Sequence, residues 1–533
     1  MKKLPELKRR VESRSLPELP EKHKTIFKVD LTPKIPEFPT GDKKEIDFRY
    51  PLIAPYAYAH IFWNPKNQEL FYEVEEPKLL SEEKKVLNLL EDGIRELINI
   101  SYLSLNKGDT VIDYLEKNLK VLLSELRITL NKESYLKIMY YIYRDFVGLD
   151  KIEPLMSDIY IEDIECNGFG HPIFVVHRKY RNLKTNVIFK KTNELATFVE
   201  RLAQKAGQYI SYATPLLDGA LPDGSRVNAT FTEDVSSRGP TFTIRKFTKE
   251  PWTPTHLMYL NSTSVEILAY LWTLIEHEKN VMVIGGTGSG KTTLLNGLTF
   301  FIPPSARIVS IEDTRELNLE HSNWLPAVSR SGVGLANLVG QKYGEVTLFN
   351  LLKESFRMNP DYVIVGEIRG EEAYVLFQGM ASGHPSFGTM HADSVDSMIK
   401  RLVTPPINLS SSLVEIMDTV VVMAHVRVKG KNVRRVKEVV EVVEINDDGG
   451  AIVNKPFVWN PSTDYFDYSS ESHVFKKIAE EKGIDIQQLN MEFEMKRRFL
   501  FGMYNKSVFN FHDVQDMINK FYKNPEDALF EVE

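Results

Sequence analysis

Apolar residues recur with different periods along the 533 residues, and the changes of period outline the elements. From Ser81, the residues Val86, Leu89, Leu90, Ile94 and Leu97 keep helical spacing; Ser81 is placed to cap that helix, and Glu82 and Glu83 suit its positive end. Helical spacing returns at 111–126 and at 134–146, where Tyr135, Ile138, Met139, Ile142 and Phe146 form one stripe that predicts core. Beyond Gly148 the pattern is mixed, with strand-like 173–177, a helix at 193–206 and short strands at 227–231 and 241–245. From 262 to 424, apolar runs at 281–284, 308–311 and 362–365 alternate with helical stretches, as in parallel strands buried on both faces. After Val426 come two alternating strands about Gly430, Lys431 and Asn432, then helical stretches at 474–481 and 514–522.

Proline divides this pattern. Pro5, Pro17, Pro20, Pro33, Pro36 and Pro39 interrupt backbone hydrogen bonding, so residues 1–50 read as an extended or partly ordered basic arm. Its Lys8, Arg9, Arg10 and Arg14 suit an anionic lipid surface, an acidic partner or plain solvation. Pro251 and Pro254 mark a linker at 249–261. The expected organisation is the arm, a helical segment at 51–147, an α/β domain at 148–248, the linker, and a nucleotide-binding domain at 262–533 with an extension from about 426.

Composition narrows the class. With 43% hydrophobic and 26% charged residues the chain has material for real cores in several domains. A formal charge of -7 gives no global footprint for nucleic acid, which is not an expected partner, although a local contact and a translocase that moves nucleic acid stay open as an alternative. The single cysteine, Cys166, can form neither an internal disulfide nor a zinc module; it reads as a small core residue in a reducing cytoplasm. The chain has no run of eighteen apolar residues and its start lacks the core of a signal peptide, so export and membrane spanning are not expected.

The sharpest motif is Gly285, Gly286, Thr287, Gly288, Ser289, Gly290, Lys291 and Thr292, followed by Thr293, between an apolar strand and a helix. Glycines let successive N–H groups face an anion, and the helix start adds partial positive charge. Lys291 is then expected at the β- and γ-phosphates and the Thr292 hydroxyl on Mg²⁺, which predicts a P-loop ATPase binding ATP and Mg²⁺.

Carboxylates follow at two further strand ends. The strand at 361–365 runs into Glu367, a candidate for the Mg²⁺ side of the site. Another ends in Glu312, Asp313 and Glu316, which suit either orientation of the attacking water or a solvated loop paired with Arg315. Gly383, His384, Thr389, His391 and Asp393 form a stretch with two histidines; their spacing is a poor metal signature, and phosphate sensing or an interface role fits better.

Together these blocks resemble the type II and type IV secretion ATPase superfamily, in which they are termed the Walker A motif, the Asp box, the Walker B glutamate and the His box. The stretch 153–168 is similar to the opening of that family's N-terminal domain, and Arg226 and Arg245 look like the arginines which that domain directs at nucleotide. Residues 50–60 and 140–148 resemble archaeal members, above all the archaellum motor ATPase and its pilus relatives. The missing four-cysteine zinc module and the Glu312-Asp313-Thr314 form of the Asp box favour the same branch. The resemblance implies an α/β fold: a RecA-like P-loop core, a mixed α/β N-terminal domain and a helical N-terminal segment. It also implies a homo-hexamer, a polytopic membrane platform partner, accessory motor subunits and peripheral association with the inner face of the cell membrane. Catalytic roles implied for Glu312, Glu316, Glu367, His391, Arg226 and Arg245 follow from the same resemblance.

Overall fold

The computed structural model describes residues 26–97 apart from 32, 34, 37 and 40, and residues 109–330, 332, 343–446, 450–468 and 471–533. The chain divides into two compact units, Met1–Lys246 and Phe247–Glu533.

The first unit is built on a nine-stranded sheet of order β1-β2-β3-β6-β5-β4-β9-β8-β7. Its strands are β1 (Asp47–Ile53), β2 (Ala57–Asn64), β3 (Glu69–Glu75), β4 (Ile161–Cys166), β5 (Pro172–His177), β6 (Arg181–Ile188), β7 (Leu216–Ala220), β8 (Arg226–Thr230) and β9 (Thr241–Arg245). Only β3 and β6 pair in parallel among its described strands. The segment 51–147 expected to be helical therefore opens with strands. Ala57, Ala59 and Ile61, then Leu70, Tyr72 and Val74, are buried at every second position, a period of two that a helix cannot use. Helix begins at Ser81–Leu97 and resumes at Asp109–Glu125 and Lys132–Phe146.

Over its described residues between 26 and 42 the expected arm has no helix or strand, as an extended or partly ordered stretch would. Phe27 is buried and stacks on Tyr56 at 5.1 Å, and Phe38 meets Tyr50 and Tyr160 edge-on, so two aromatics tie this stretch to the core. The basic cluster Lys8, Arg9, Arg10 and Arg14 lies outside the described residues. Cys166 is buried, as its reading as a core residue required.

In the second unit the sheet runs β12-β11-β13-β14-β10-β15-β16-β17-β18. Its strands are β10 (Val281–Gly285), β11 (Ile308–Glu312), β12 (Trp324–Val328), β13 (Tyr362–Ile368), β14 (Ser386–Met390), β15 (Thr419–Val428), β16 (Lys431–Ile445), β17 (Ala451–Asn460) and β18 (Tyr465–Tyr468). From β12 to β15 the neighbours are parallel, and the hairpin β15–β16 then turns the sheet antiparallel. Every residue of β10, β11 and β14 is buried, which explains their unbroken apolar runs. This is the α/β, P-loop core expected from the sequence.

Within the expected linker, Pro254 opens the helix Pro254–Tyr259 with Thr253 as its cap, because a proline in the first helical turn loses no intrahelical hydrogen bond. The C-terminal helices complete the core of this unit. Trp272 is fully buried, stacks on Phe301 with centroids 4.9 Å apart, and donates from Nε1 to the Tyr522 hydroxyl at 2.9 Å. Burying an indole with a satisfied N–H stabilises by about 3 kcal/mol or more, so residues 511–523 are part of the fold rather than an appendage.

Candidate functional site

The phosphate loop sits between β10 and the helix Lys291–Thr299, at the carboxyl end of the strand flanked by β14 and β15. Gly285 has φ 154°, and a Cβ there would stand 2.5 Å from the Met423 carbonyl oxygen and 2.6 Å from Ser289 Oγ. No side chain fits. Gly290, at φ 93°, serves as the left-handed N-cap of the helix. The Ser289 hydroxyl closes the loop by donating to Gly286 O at 2.8 Å. Thr287 and Gly288 are exposed at its tip, and Thr292 and Thr293 are half-buried in the first helical turn.

Lys291 curls back into this loop. Its Nζ donates to Gly285 O at 3.0 Å and to Gly286 O at 3.1 Å, and lies 3.4 Å from His391 Nδ1. Desolvation lowers its pKa, against the opposing pull of Glu367 and Glu316. His391 follows β14, a buried strand where the sequence showed only a glycine-containing stretch. Its Nε2 is 3.0 Å from Glu367 Oε1 but off the alignment of a hydrogen bond, so that oxygen has no hydrogen-bond donor among the described residues. Glu367 Oε2 pairs with Arg369, and Arg401 Nη1 donates to His391 O at 2.9 Å. His384 is not part of this line; its ring packs edge-on against Phe356.

The acidic block resolves into separate parts. Glu312 is buried, and its Oε1 accepts from the N–H groups of Glu316 and Leu317, each at 2.9 Å. It is therefore not a solvated loop acid. Burial pushes its pKa up to about 7 against those two hydrogen bonds, and its Oε2 has no hydrogen-bond donor among the described residues. Asp313 accepts from Ser329 Oγ at 2.7 Å, while Glu316 is exposed. Arg315 does not pair with this block: its guanidinium lies over Trp324 and Phe247, 5.1 and 5.3 Å from the ring centres.

Lys291, Glu312, Glu367 and His391 thus gather at the carboxyl ends of four neighbouring strands, β11, β13, β14 and β10. Glu367 Oε1, a buried carboxylate oxygen without a donor among the described residues, lies in the field of the Lys291 ammonium and is a hard ligand that fits a magnesium ion with a phosphate. Arg226 and Arg245 belong to the first unit, where they are direct cross-strand partners. Like charges at such a position repel, and each is balanced by a carboxylate: Asp218 at 3.1 Å from Arg226 and Asp163 at 3.0 Å from Arg245.

One contact escaped the sequence reading. Arg434, on β16, donates from Nε to Gly288 O at 2.9 Å. Only the turn about Gly430 hinted that a strand would return past the loop.

Residues 148–453 match the family described as Type II/IV secretion system protein. Uncharacterized protein MJ0900 of Methanocaldococcus jannaschii is 32% identical over 525 residues, covering 93% of this chain and 94% of that one. Uncharacterized protein MJ1287 of the same organism is 43% identical over 250 residues, 46% of this chain and 90% of its own. Type IV secretion system protein VirB11 of Bartonella henselae is 29% identical over 291 residues, 46% and 78% of the two chains. With its phosphate loop, its strand-end carboxylates and a family match over more than half its length, the chain belongs to the type II/IV secretion ATPase superfamily.

Proposed function

We propose that this chain is a Mg²⁺-dependent ATPase that drives assembly or rotation of an archaeal surface filament, the archaellum, as a homo-hexamer acting on a polytopic membrane platform protein. The line Lys291–His391–Glu367 carries the ATPase part of this reading. The similarity of residues 50–60 and 140–148 to archaellum motors supports the filament part, as do relatives in an archaeon. Among the described residues no helix is long and apolar enough to cross a membrane, so membrane attachment is assigned to the partner.

In this reading the loop N–H groups and Lys291 hold the β- and γ-phosphates. Lys291 exchanges the neutral carbonyls of Gly285 and Gly286 for anionic oxygens, which adds the attraction between opposite charges to bonds its ammonium already makes. Thr292 and Glu367 would hold Mg²⁺, which when bound neutralises phosphate charge. Glu312 fixes the turn that presents Glu316, and Glu316 orients the attacking water. The resemblance gives Arg226 and Arg245 a nucleotide-facing role, for which a planar guanidinium is suited because it can neutralise phosphate charge.

The test is a chromosomal Lys291→Ala strain scored separately for swimming and for surface pili. Loss of swimming is expected. Lost pili with normal swimming would assign the motor to a type IV pilus or secretion assembly instead.

A further inference from the structure

The C-terminal hairpin grips the phosphate loop from outside. Besides the bond from Arg434 Nε to Gly288 O, the Arg434 stem passes 3.1 Å from where a Cβ on Gly290 would stand. On the adjoining strand Met423 faces Gly285, so both strands of the hairpin touch the loop. The mount is rigid. Arg435, buried beside it, bonds Asp464 through Nε at 2.8 Å and Nη2 at 3.0 Å. Its Nη1 donates to the backbone oxygens of Arg434 and Leu260, both at 3.0 Å, and Val436 N–H donates to Ser262 O at 2.7 Å. An exposed side chain thus stands on a backbone held from three directions.

We propose that Arg434 is a positioning residue for the nucleotide phosphates, acting through the peptide that joins Gly288 to Ser289; this rests on the ATPase reading above. In such a loop the N–H groups face the anion. The Gly288 carbonyl belongs to the same peptide unit as the Ser289 N–H. A guanidinium on that oxygen fixes the peptide plane and polarises its N–H, since hydrogen bonds in series strengthen one another. Among the described residues the Ser289 N–H makes only a long 3.4 Å bond to Gly286 O, which a phosphate oxygen can replace. Arg434 therefore makes nucleotide affinity depend on the placement of the C-terminal extension, and occupancy of the loop in turn holds the hairpin in place.

The alternative is an exposed arginine that merely satisfies a carbonyl. Full-length wild type, Arg434→Ala, Arg434→Lys and Arg427→Ala separate the two through ADP binding and steady-state hydrolysis. Arg427 lies on the same hairpin and donates to Gly430 O at 3.2 Å, away from the loop. Loss of Arg434 should raise the ADP Kd and the KM for ATP about tenfold, with kcat within about twofold and the ligand-free melting temperature unchanged. Lysine should recover part of the affinity, and Arg427→Ala should match wild type. An Arg434→Ala protein that binds ADP as tightly as a binding-competent wild type overturns the proposal, and so does an equal loss in Arg427→Ala. A wild type that binds no nucleotide contradicts the ATPase reading instead.

Discussion

His391 stands 3.4 Å from the Lys291 ammonium through Nδ1 and 3.0 Å from the Glu367 carboxylate through Nε2. Desolvation and the field of Lys291 lower its pKa, which favours neutral imidazole near pH 7. Lys291 then dictates the tautomer: Nδ1 accepts from its ammonium, which leaves the ring proton on Nε2, near Glu367 Oε1 but off the line of a hydrogen bond. One ring thereby links the residue assigned to the phosphates with the residue assigned to the metal.

Removing that link should slow chemistry more than it weakens binding. His391→Ala is expected to lower kcat about a hundredfold while the ADP Kd changes by less than about threefold. Equilibrium binding and steady-state kinetics on the same preparation check the split. A large loss of ADP affinity would make the ring a binding element.

Glu312 predicts a pH dependence of stability. A carboxyl raised from its ordinary 4.5 to about 7 holds its proton more tightly folded than unfolded. Its contribution is complete below about pH 4.5 and is lost as pH rises through 7, at most roughly 3 kcal/mol. Glu312→Gln cannot ionise, and its amide oxygen can still accept from Glu316 and Leu317. Its melting temperature should therefore fall less than wild type between pH 5 and pH 7.5. Parallel pH profiles would remove this role from Glu312.

The loop glycines should differ in what they tolerate. Gly285→Ala places a methyl 2.5 Å from a main-chain oxygen and should destabilise by about 3 kcal/mol, with loss of nucleotide binding. Gly288→Ala meets nothing within 4 Å and carries only the strain of φ 69°, about 1 kcal/mol. Thermal melts of the two variants order them.

The sequence made legible what depends on local pattern. The phosphate loop, the buried parallel strands and the acids at their ends all follow from short-range periodicity and glycine placement. It misled where one period was carried into its neighbour: the meander β1–β3 was absorbed into the helices that follow, although Tyr72 and Val74 alternate with polar positions. It was silent where contacts depend on long-range register. Whether Glu312 is a buried clamp or a free acid depends on the turn that closes over it, and the bond between Arg434 and Gly288 joins residues far apart in sequence.

Hydrolysis of ATP at the Lys291 loop is read most directly by phosphate release from ATP by purified wild type and Lys291→Ala with Mg²⁺ present. Turnover by wild type and a loss of at least about a hundredfold in the variant is the predicted result. Near-normal hydrolysis by Lys291→Ala, or none by a wild type that is folded and binds nucleotide, would contradict it.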